Sequence, residues 1–214
     1  GIPMGLQYSI TAIGTLVIQT AVNGFGSLTV AGVTAAQRIN SFISCPVESI
    51  GATMAPYSGQ NMGAGKLDRV ARGLRDASIL GFAVSAVLFV IVLMTGKQLS
   101  LIFLDTADDR VIAYSYQFLV TTAAGYFLLT LVNAVRFTIQ GMGFSPTATF
   151  AGVLEMVGRG TIAYFVGIFG FNAACFASPA AWILADCFLI PAYFLCRRRL
   201  LKKYGAETPQ VQQA

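Results

Sequence analysis

Five charged residues stand well inside long apolar stretches of this 214-residue sequence, away from their ends. Two are basic and three are acidic: Arg38, Glu48, Glu155, Arg159 and Asp186. A charge at membrane depth is costly, so it is kept mainly where it faces a protein partner or water, and it commonly marks the path of an ion or a substrate. These residues therefore predict the binding of ions or protons inside a membrane.

The predicted depth of these charges separates them into two groups. Counting about 1.5 Å per residue along each helix, the three acids Glu48, Glu155 and Asp186 lie about 12–16 Å from one end of the helices. Arg159 is the single buried cation near them, while Arg38 lies about 28 Å from that end and is too far away to help. Glu155 and Arg159, one helical turn apart, are predicted to pair, with a purely structural role as the alternative. One arginine cannot satisfy three acids, so Glu155 or Asp186 is predicted to take up a proton near neutral pH.

Polar side chains at helical spacing predict the walls around these charges. The first apolar stretch carries Gln7, Thr11 and Thr15, and the fourth carries Tyr126 and Asn133. Because residues three or four apart lie on one side of a helix, these five residues are predicted to line a water-filled substrate cavity. Seams between packed helices are the alternative explanation.

The composition places these helices in a membrane. Hydrophobic residues make up 56% of the chain and charged residues 11%, whereas soluble domains have about 25% charged residues. The predicted fold is all-α and integral to the membrane, with six transmembrane helices in residues 1–204 and a polar, disordered tail in residues 205–214. The six stretches are residues 6–22, 30–54, 77–95, 113–139, 147–169 and 173–195.

Positive charges predict the orientation. Nine Lys and Arg residues fall in residues 66–75 and 197–203, against only Lys97 and Arg110 on the other side. Cytoplasmic loops carry the excess of Lys and Arg, so both termini are predicted to be cytoplasmic in a cell membrane, with Arg136 on the same side. The net charge of +5 is thereby explained by topology, and nucleic-acid binding is not predicted.

Residues for enzyme chemistry are missing from the sequence. It has no histidine, and its four cysteines form no CxxC pair, so no metal site is predicted. It also lacks the GxSxG and GxxxxGK[ST] patterns of hydrolases and phosphate loops. Neither an enzyme nor a cofactor is predicted.

The second apolar stretch leads into a glycine-rich basic loop, residues 57–76. Pro46 removes a backbone donor, which predicts a kink or local unwinding of the helix. From Leu67 onward the apolar and charged residues alternate at helical spacing, which predicts a short helix lying on the membrane surface.

Several short motifs stand out along the chain: TAAxRI at residues 34–39, Pro46, GQNMGAGKLDRVARGLR at residues 59–75, NAVRFTIQGMGFS at residues 133–145, GVLEMVGRG at residues 152–160, and Trp182. In these motifs the chain resembles the C-terminal six-helix half of the multidrug and toxic compound extrusion (MATE) transporters. The chain also begins without an initiating methionine or a signal peptide, and it is predicted to be a piece of a longer polypeptide that includes an N-terminal half.

This resemblance implies an antiporter, driven by H⁺ or Na⁺, that exports amphipathic and mostly cationic organic compounds by alternating access. Its two halves would form a V-shaped bundle around a central cavity. Sodium-coupled members resemble this sequence but carry acids at the positions of Thr11 and Asn133. The cation site that those two acids would form is therefore missing here. Coupling then depends on another acid of this half or on the N-terminal half.

Two other functions stay open at this stage. A flippase for lipid-linked precursors would have a similar fold but a strongly basic cavity, whereas only Arg38 and Arg159 lie in mid-span. A non-transporting membrane scaffold is the second alternative, in which every polar stripe is a packing seam.

Overall fold

The computed structural model describes residues 2–104 and 108–207, without the side chains of residues 2–4, 6–8, 11, 167 and 204–207. Helices account for nearly all of the described residues, and no strand occurs among them, so the predicted all-α fold is confirmed. The helices are α1 (Ile2–Asn23), α2 (Ser27–Gly63), α3 (Leu67–Phe103), α4 (Asp109–Ala124), α5 (Tyr126–Gly141), α6 (Ser145–Phe169) and α7 (Phe171–Glu207). Thus α7 extends three residues into the predicted tail, and the rest of the tail lies outside the described residues.

The helices form two groups that share an interface. In one group α2 packs along α3, α4 and α5, and in the other α6 packs along α1 and α7, while α5 and α7 pack against each other and join the groups. Helices α2 and α5 run parallel. Tyr126 at the start of α5 contacts Asn40, and Gly141 at its end lies so close to Ala55 that an added Cβ would be 2.4 Å from the Ala55 carbonyl oxygen.

Most of the positive charge lies at one end of this bundle. Arg197 of α7 approaches Asp68 of α3, with Nη2 3.6 Å from Oδ1. This contact brings together the two segments rich in Lys and Arg, residues 66–75 and 197–203, which we call the basic end.

The fourth predicted span, residues 113–139, is two helices in the structure. α4 and α5 meet at Gly125, and their axes differ by 49°. A Cβ at Gly125 would lie 2.8 Å from Cζ3 of Trp182 and 3.1 Å from Cγ of Pro179. The break therefore lies where α7 approaches the backbone closely, which no local pattern in the sequence indicates.

Two expectations around the second span are wrong, the local unwinding at Pro46 and the separate surface helix from Leu67, while the kink at Pro46 stays a prediction. α2 continues without interruption through Pro46 and Pro56, so the helix does not unwind at Pro46. The amphipathic segment that begins at Leu67 is helical as predicted, but it forms the first turns of α3 rather than a separate helix. Its apolar side is packed inside the bundle, since Leu67 and Val70 are buried.

The surface of the bundle supports the membrane assignment. By length and hydropathy alone, α3 and the segment Phe171–Lys203 of α7 could each cross a membrane, as could α4 and α5 together as one broken span. Leu80, Val87 and Met94 of α3 are spaced seven residues apart, and their exposed fractions are 56%, 59% and 73%. Such an apolar stripe on the outside suits contact with lipid, since its helical backbone is satisfied internally.

Candidate functional site

A cavity of about 540 Å³ lies between the helices and is lined by every helix except α3. This volume falls within the range of about 300–1,000 Å³ that is usual for small-molecule sites. Its lining is mixed, with hydroxyl, amide, charged and aromatic side chains. The lining residues are Thr15, Ile18, Gln37, Asn40, Ser41, Ser44, Cys45, Glu48, Ser49, Ala52, Phe118, Thr122, Leu129, Asn133, Arg136, Phe137, Glu155, Arg159, Ser178 and Trp182.

Helix α2 provides a long polar wall of this cavity, from Gln37 to Ala52. On this wall the buried Ser44 donates its hydroxyl hydrogen to Oε1 of Glu48 at 2.7 Å. The carboxylate itself is exposed, and it takes part in no ion pair with the residues that the structure describes. Glu48 is thus supported from its own helix and open on the cavity side.

A buried group of three charges forms another part of the lining. Nη2 of Arg136 on α5 donates to Oε1 of Glu155 on α6. Nη2 of Arg159, one turn further along α6, lies 3.7 Å from Oε2 of the same carboxylate. The three residues are only 4%, 3% and 7% exposed, and we call them the charge cluster.

The charge cluster joins α5 to α6 and is in contact with α1. Besides α5 and α6 it involves α1, because a Cβ on the buried Gly14 would lie 3.2 Å from Cδ and 3.3 Å from Nη1 of Arg159. The absence of a side chain at Gly14 therefore leaves room for the guanidinium. Removing one partner of a buried ion pair leaves an uncompensated charge, so the cluster constrains how these helices can separate.

Asp186 is a fourth buried charge beside the cluster. It lies on α7, four residues after Trp182, and is 6% exposed. The charges of Arg136 and Glu155 act on it, but neither of its carboxylate oxygens accepts a hydrogen bond from the described residues. A buried carboxyl group without hydrogen bonds is costly in its charged form.

Only some of the residues predicted to line the cavity are found in its lining. Thr15 and Asn133 belong to the lining. Tyr126 is fully buried and does not, although its hydroxyl donates to Oδ1 of the lining residue Asn40 at 2.8 Å. The side chains of Gln7 and Thr11 lie outside the described part of the chain.

Gln19, four residues after Thr15, and Thr130, four residues after Tyr126, continue these two polar stripes and form seams between helices. Nε2 of Gln19 on α1 lies 3.4 Å from Oγ1 of Thr34 on α2. The hydroxyls of Thr130 on α5 and Ser85 on α3 are 3.0 Å apart and buried. Some residues of each stripe therefore line the cavity, and others form packing seams between helices.

The predicted intramembrane charges also differ in whether they line the cavity. Glu48, Glu155 and Arg159 line the cavity, and the predicted pairing of Glu155 with Arg159 is present. Asp186 is buried but does not reach the lining. Arg38 is exposed on α2 and lies outside the lining as well.

Sequence reasoning missed the role of Arg136. The sequence places Arg136 at the end of the fourth span among the charges that set orientation, and it predicts Arg159 as the single buried cation near the acids. The structure corrects this, since Arg136 is buried and approaches Glu155 most closely. The missed signal was its spacing, because Arg136 follows Asn133 by three residues and so continues the same polar stripe.

Comparison with known proteins gives consistent matches. The sequence profile of the family described as MatE matches residues 3–165. The probable multidrug resistance protein YpnP of Bacillus subtilis (strain 168) is 31% identical over 177 residues, which cover 75% of this chain and 39% of that protein. The probable multidrug resistance protein YoeA of the same organism is 22% identical over 143 residues, covering 67% of this chain and 30% of that protein.

A solved structure shows the same fold. The crystal structure of MATE in the bent conformation superposes with a TM-score of 0.81 at 19% identity. The match covers 92% of this chain but 44% of the other. The chain therefore spans less than half the length of each of these proteins.

Proposed function

The chain belongs to the MATE family of membrane transporters, and from this membership we propose that it forms the C-terminal six-helix lobe of a twelve-helix exporter. The six spans would be α1, α2, α3, the broken pair of α4 and α5, α6, and α7. The match to 92% of this chain but 44% of a solved MATE structure supports this arrangement. The N-terminal half of the same protein would then be the main partner of this lobe.

The orientation follows from the charges at the basic end. Cytoplasmic loops and ends carry an excess of Lys and Arg, so we place residues 66–75 and 197–203 at the cytoplasmic face of a cell membrane. With six spans, the N-terminus of this lobe lies on the same side.

The cavity is the single observation that carries the functional proposal. It combines a polar wall from α2 with the aromatic side chains of Phe118, Phe137 and Trp182, and aromatic faces attract organic cations. We therefore assign to the complete protein the export of amphipathic, mostly cationic organic compounds. The names of the two Bacillus relatives, both probable multidrug resistance proteins, support this class of substrate.

Transport would proceed by alternating access, in which the two lobes rock about a site near the middle of the membrane. In this mechanism the lining residues bind and release the compound without forming or breaking covalent bonds. The charge cluster holds α5 and α6 together while the lobe moves as a body.

Coupling to H⁺ or Na⁺ completes the proposal, and Asp186 and Glu155 are the candidate coupling acids. Glu155 already has two arginines, whereas Asp186 has no hydrogen bond from the described residues. Asp186 is therefore the stronger candidate for an acid that gains and loses a proton. Arg136 on α5 and Glu155 on α6 interact electrostatically with it, and Arg159 belongs to the same cluster.

Replacing the acids one at a time tests the coupling proposal. In liposomes that contain the complete transporter, Asp186→Asn should abolish the pH dependence of dye efflux while dye binding stays measurable. A pH dependence that survives in Asp186→Asn, Glu155→Gln and Glu48→Gln alike would show that this lobe supplies no coupling acid. Efflux driven by an imposed Na⁺ gradient and not by a pH gradient would identify Na⁺ as the coupling ion.

Transport of ethidium across the same liposomes tests the function itself. Movement against the dye gradient, driven by an imposed ion gradient, is the expected result. Movement of a lipid-linked precursor without movement of ethidium would identify a flippase. If neither moves under any ion gradient, the protein has a scaffolding role and the proposal is wrong.

A further inference from the structure

We infer that Glu48 is the residue that binds the positive charge of the transported compound. This inference rests on the proposed function, because it assigns one side chain of the cavity to the recognition of organic cations.

The first support is the geometry of the carboxylate. Ser44 is buried and donates to one oxygen, Oε1, from the preceding helical turn. Glu48 accepts no other hydrogen bond from the described residues, and its side chain is exposed on the cavity wall. One oxygen is therefore held by Ser44, while the other accepts no hydrogen bond from the described residues and remains available to a charged ligand in the cavity.

The second support is that the arginines of the cavity are engaged elsewhere. Both Arg136 and Arg159 point their guanidinium groups at Glu155. Glu155 therefore occupies both guanidinium groups, and neither of them forms an ion pair with Glu48 within the described part of the chain. An acid at membrane depth that lacks a protein partner is kept where it meets water or a ligand.

The register of α2 and α5 explains why Arg136 does not reach Glu48. An added Cβ on Gly51 would lie 2.5 Å from Cβ of Asn133, so these two residues are at the same level of the parallel helices. Glu48 precedes Gly51 by three residues, and Arg136 follows Asn133 by three. The two charges are thus offset by six residues, or about 9 Å along the bundle.

The third support concerns the kind of cation that fits. A metal ion would need several oxygen or nitrogen ligands around one point, and no three His, Cys, Asp or Glu side chains converge within the described residues. The cavity instead has about 540 Å³ of space and three aromatic residues in its lining. An organic cation with apolar substituents matches both features, because its charge can face Glu48 while its substituents contact the aromatic rings.

Binding of a charged probe and an uncharged probe of related shape tests this assignment. Tetraphenylphosphonium carries a permanent positive charge, and triphenylphosphine oxide is neutral with a similar set of phenyl rings. The complete transporter, in detergent at low ionic strength, is titrated with each probe by calorimetry. In Glu48→Gln the Kd for tetraphenylphosphonium should rise about tenfold or more, since one charge-assisted contact is lost, while the Kd for triphenylphosphine oxide stays within about twofold.

Three further variants keep this test interpretable. Glu48→Asp retains the charge and should retain most of the affinity for tetraphenylphosphonium. Ser44→Ala frees the carboxylate without removing it and should give an intermediate Kd. Asp68→Asn removes an acid at the basic end, on α3, which does not line the cavity. This variant should bind both probes as the wild-type protein does.

The outcomes separate the inference from the proposed function. A wild-type protein that binds tetraphenylphosphonium, together with a Glu48→Gln variant of unchanged affinity, overturns the inference alone. An equal loss of both probes in Glu48→Gln also overturns it, because the effect is then not one of charge. If Glu48→Gln alters only the pH dependence of transport, Glu48 binds the coupling proton instead. Failure of the wild-type protein to bind either probe overturns the proposed function and the inference with it.

Discussion

Glu155 and Glu48 are two acids on the same cavity, and their surroundings differ sharply. Glu155 is 3% exposed and lies between two arginines from two helices. Glu48 is exposed, and a single serine hydroxyl from its own helix supports it. A buried charge whose partners all come from the protein contributes to assembly, whereas a charge with one face open can accept a ligand. We therefore expect the number and origin of the partners, rather than depth in the membrane, to distinguish a structural acid, here Glu155, from a binding acid, here Glu48.

The largest expected effect is on the structural acid. Arg136→Ala removes the closest partner of Glu155 and leaves a buried carboxylate with Arg159 at 3.7 Å. Breaking a buried pair in this way costs about 3–5 kcal/mol, so thermal unfolding of the purified protein should shift strongly to lower temperature.

Glu48→Gln is the matched control for Arg136→Ala, because it changes one charge on the same cavity. Its stability should stay within about 0.5 kcal/mol of wild type, as is usual for substitutions that bury no unpaired group. Equal losses of stability in the two variants would show that both acids are structural and would remove the distinction between them.

A second prediction concerns the space that the charge cluster needs. Gly14→Ala places a Cβ 3.2 Å from Cδ of Arg159, so the Arg159 side chain, which approaches Glu155, must give way by a few tenths of an ångström. Crowding of this kind in a packed interior costs about 1–3 kcal/mol. Thermal unfolding measures the loss of stability. In the double variant that carries both Gly14→Ala and Arg136→Ala, the total loss should be smaller than the sum of the two single losses.

Gly160→Ala is the control for the glycine substitution. It lies on α6 next to Arg159, but an added Cβ there meets no atom within 4 Å. Alanine in the middle of a helix is favoured over glycine by about 0.5–1 kcal/mol, so this variant should be as stable as wild type or more stable. A destabilised Gly160→Ala would mean that general tightness, not contact with Arg159, explains the effect at Gly14.

A smaller effect on stability is expected from removing the hydrogen bond that supports Glu48. Ser44→Ala removes the hydroxyl that donates to Glu48 at 2.7 Å. Since the carboxylate can turn to water in the cavity, the cost to stability should be about 0.5–1.5 kcal/mol, the usual contribution of one hydrogen bond. A loss as large as that of Arg136→Ala would place Glu48 among the structural charges.

The smallest effect on stability is expected at Pro46, two residues before Glu48. Pro46→Ala supplies a backbone N–H that proline lacks and removes no buried side chain, so thermal unfolding should be unchanged or slightly delayed. Transport of ethidium should fall nevertheless, because a straighter α2 would reposition the wall that carries Glu48. Parallel losses of expression and transport would show instead that the proline is needed only for folding.

Much of the fold followed from local patterns, because a membrane helix satisfies its own backbone and must be apolar over most of its length. That requirement made α1, α2, α3, α6 and α7 readable from the sequence. The break at Gly125 was not readable, since it depends on Trp182 of another helix approaching the backbone.

The site was predictable to a smaller extent. Spacing alone indicated that Thr15, Glu48 and Asn133 share polar faces, and all three line the cavity. Spacing could not show that Tyr126 turns into the protein to reach Asn40, because one polar stripe serves both a cavity and a helix seam.

The sequence by itself determined that the chain is a helical membrane protein of the MATE family, with acids and arginines placed inside apolar helices. These properties are encoded in composition and in short motifs, so they need no knowledge of which helices meet. Only the tertiary structure decided that Arg136 joins Arg159 at Glu155 and that Glu48 is left open to the cavity. The physical reason is that a charge takes its role from the partners within a few ångströms of it, and those partners belong to helices far apart in the chain.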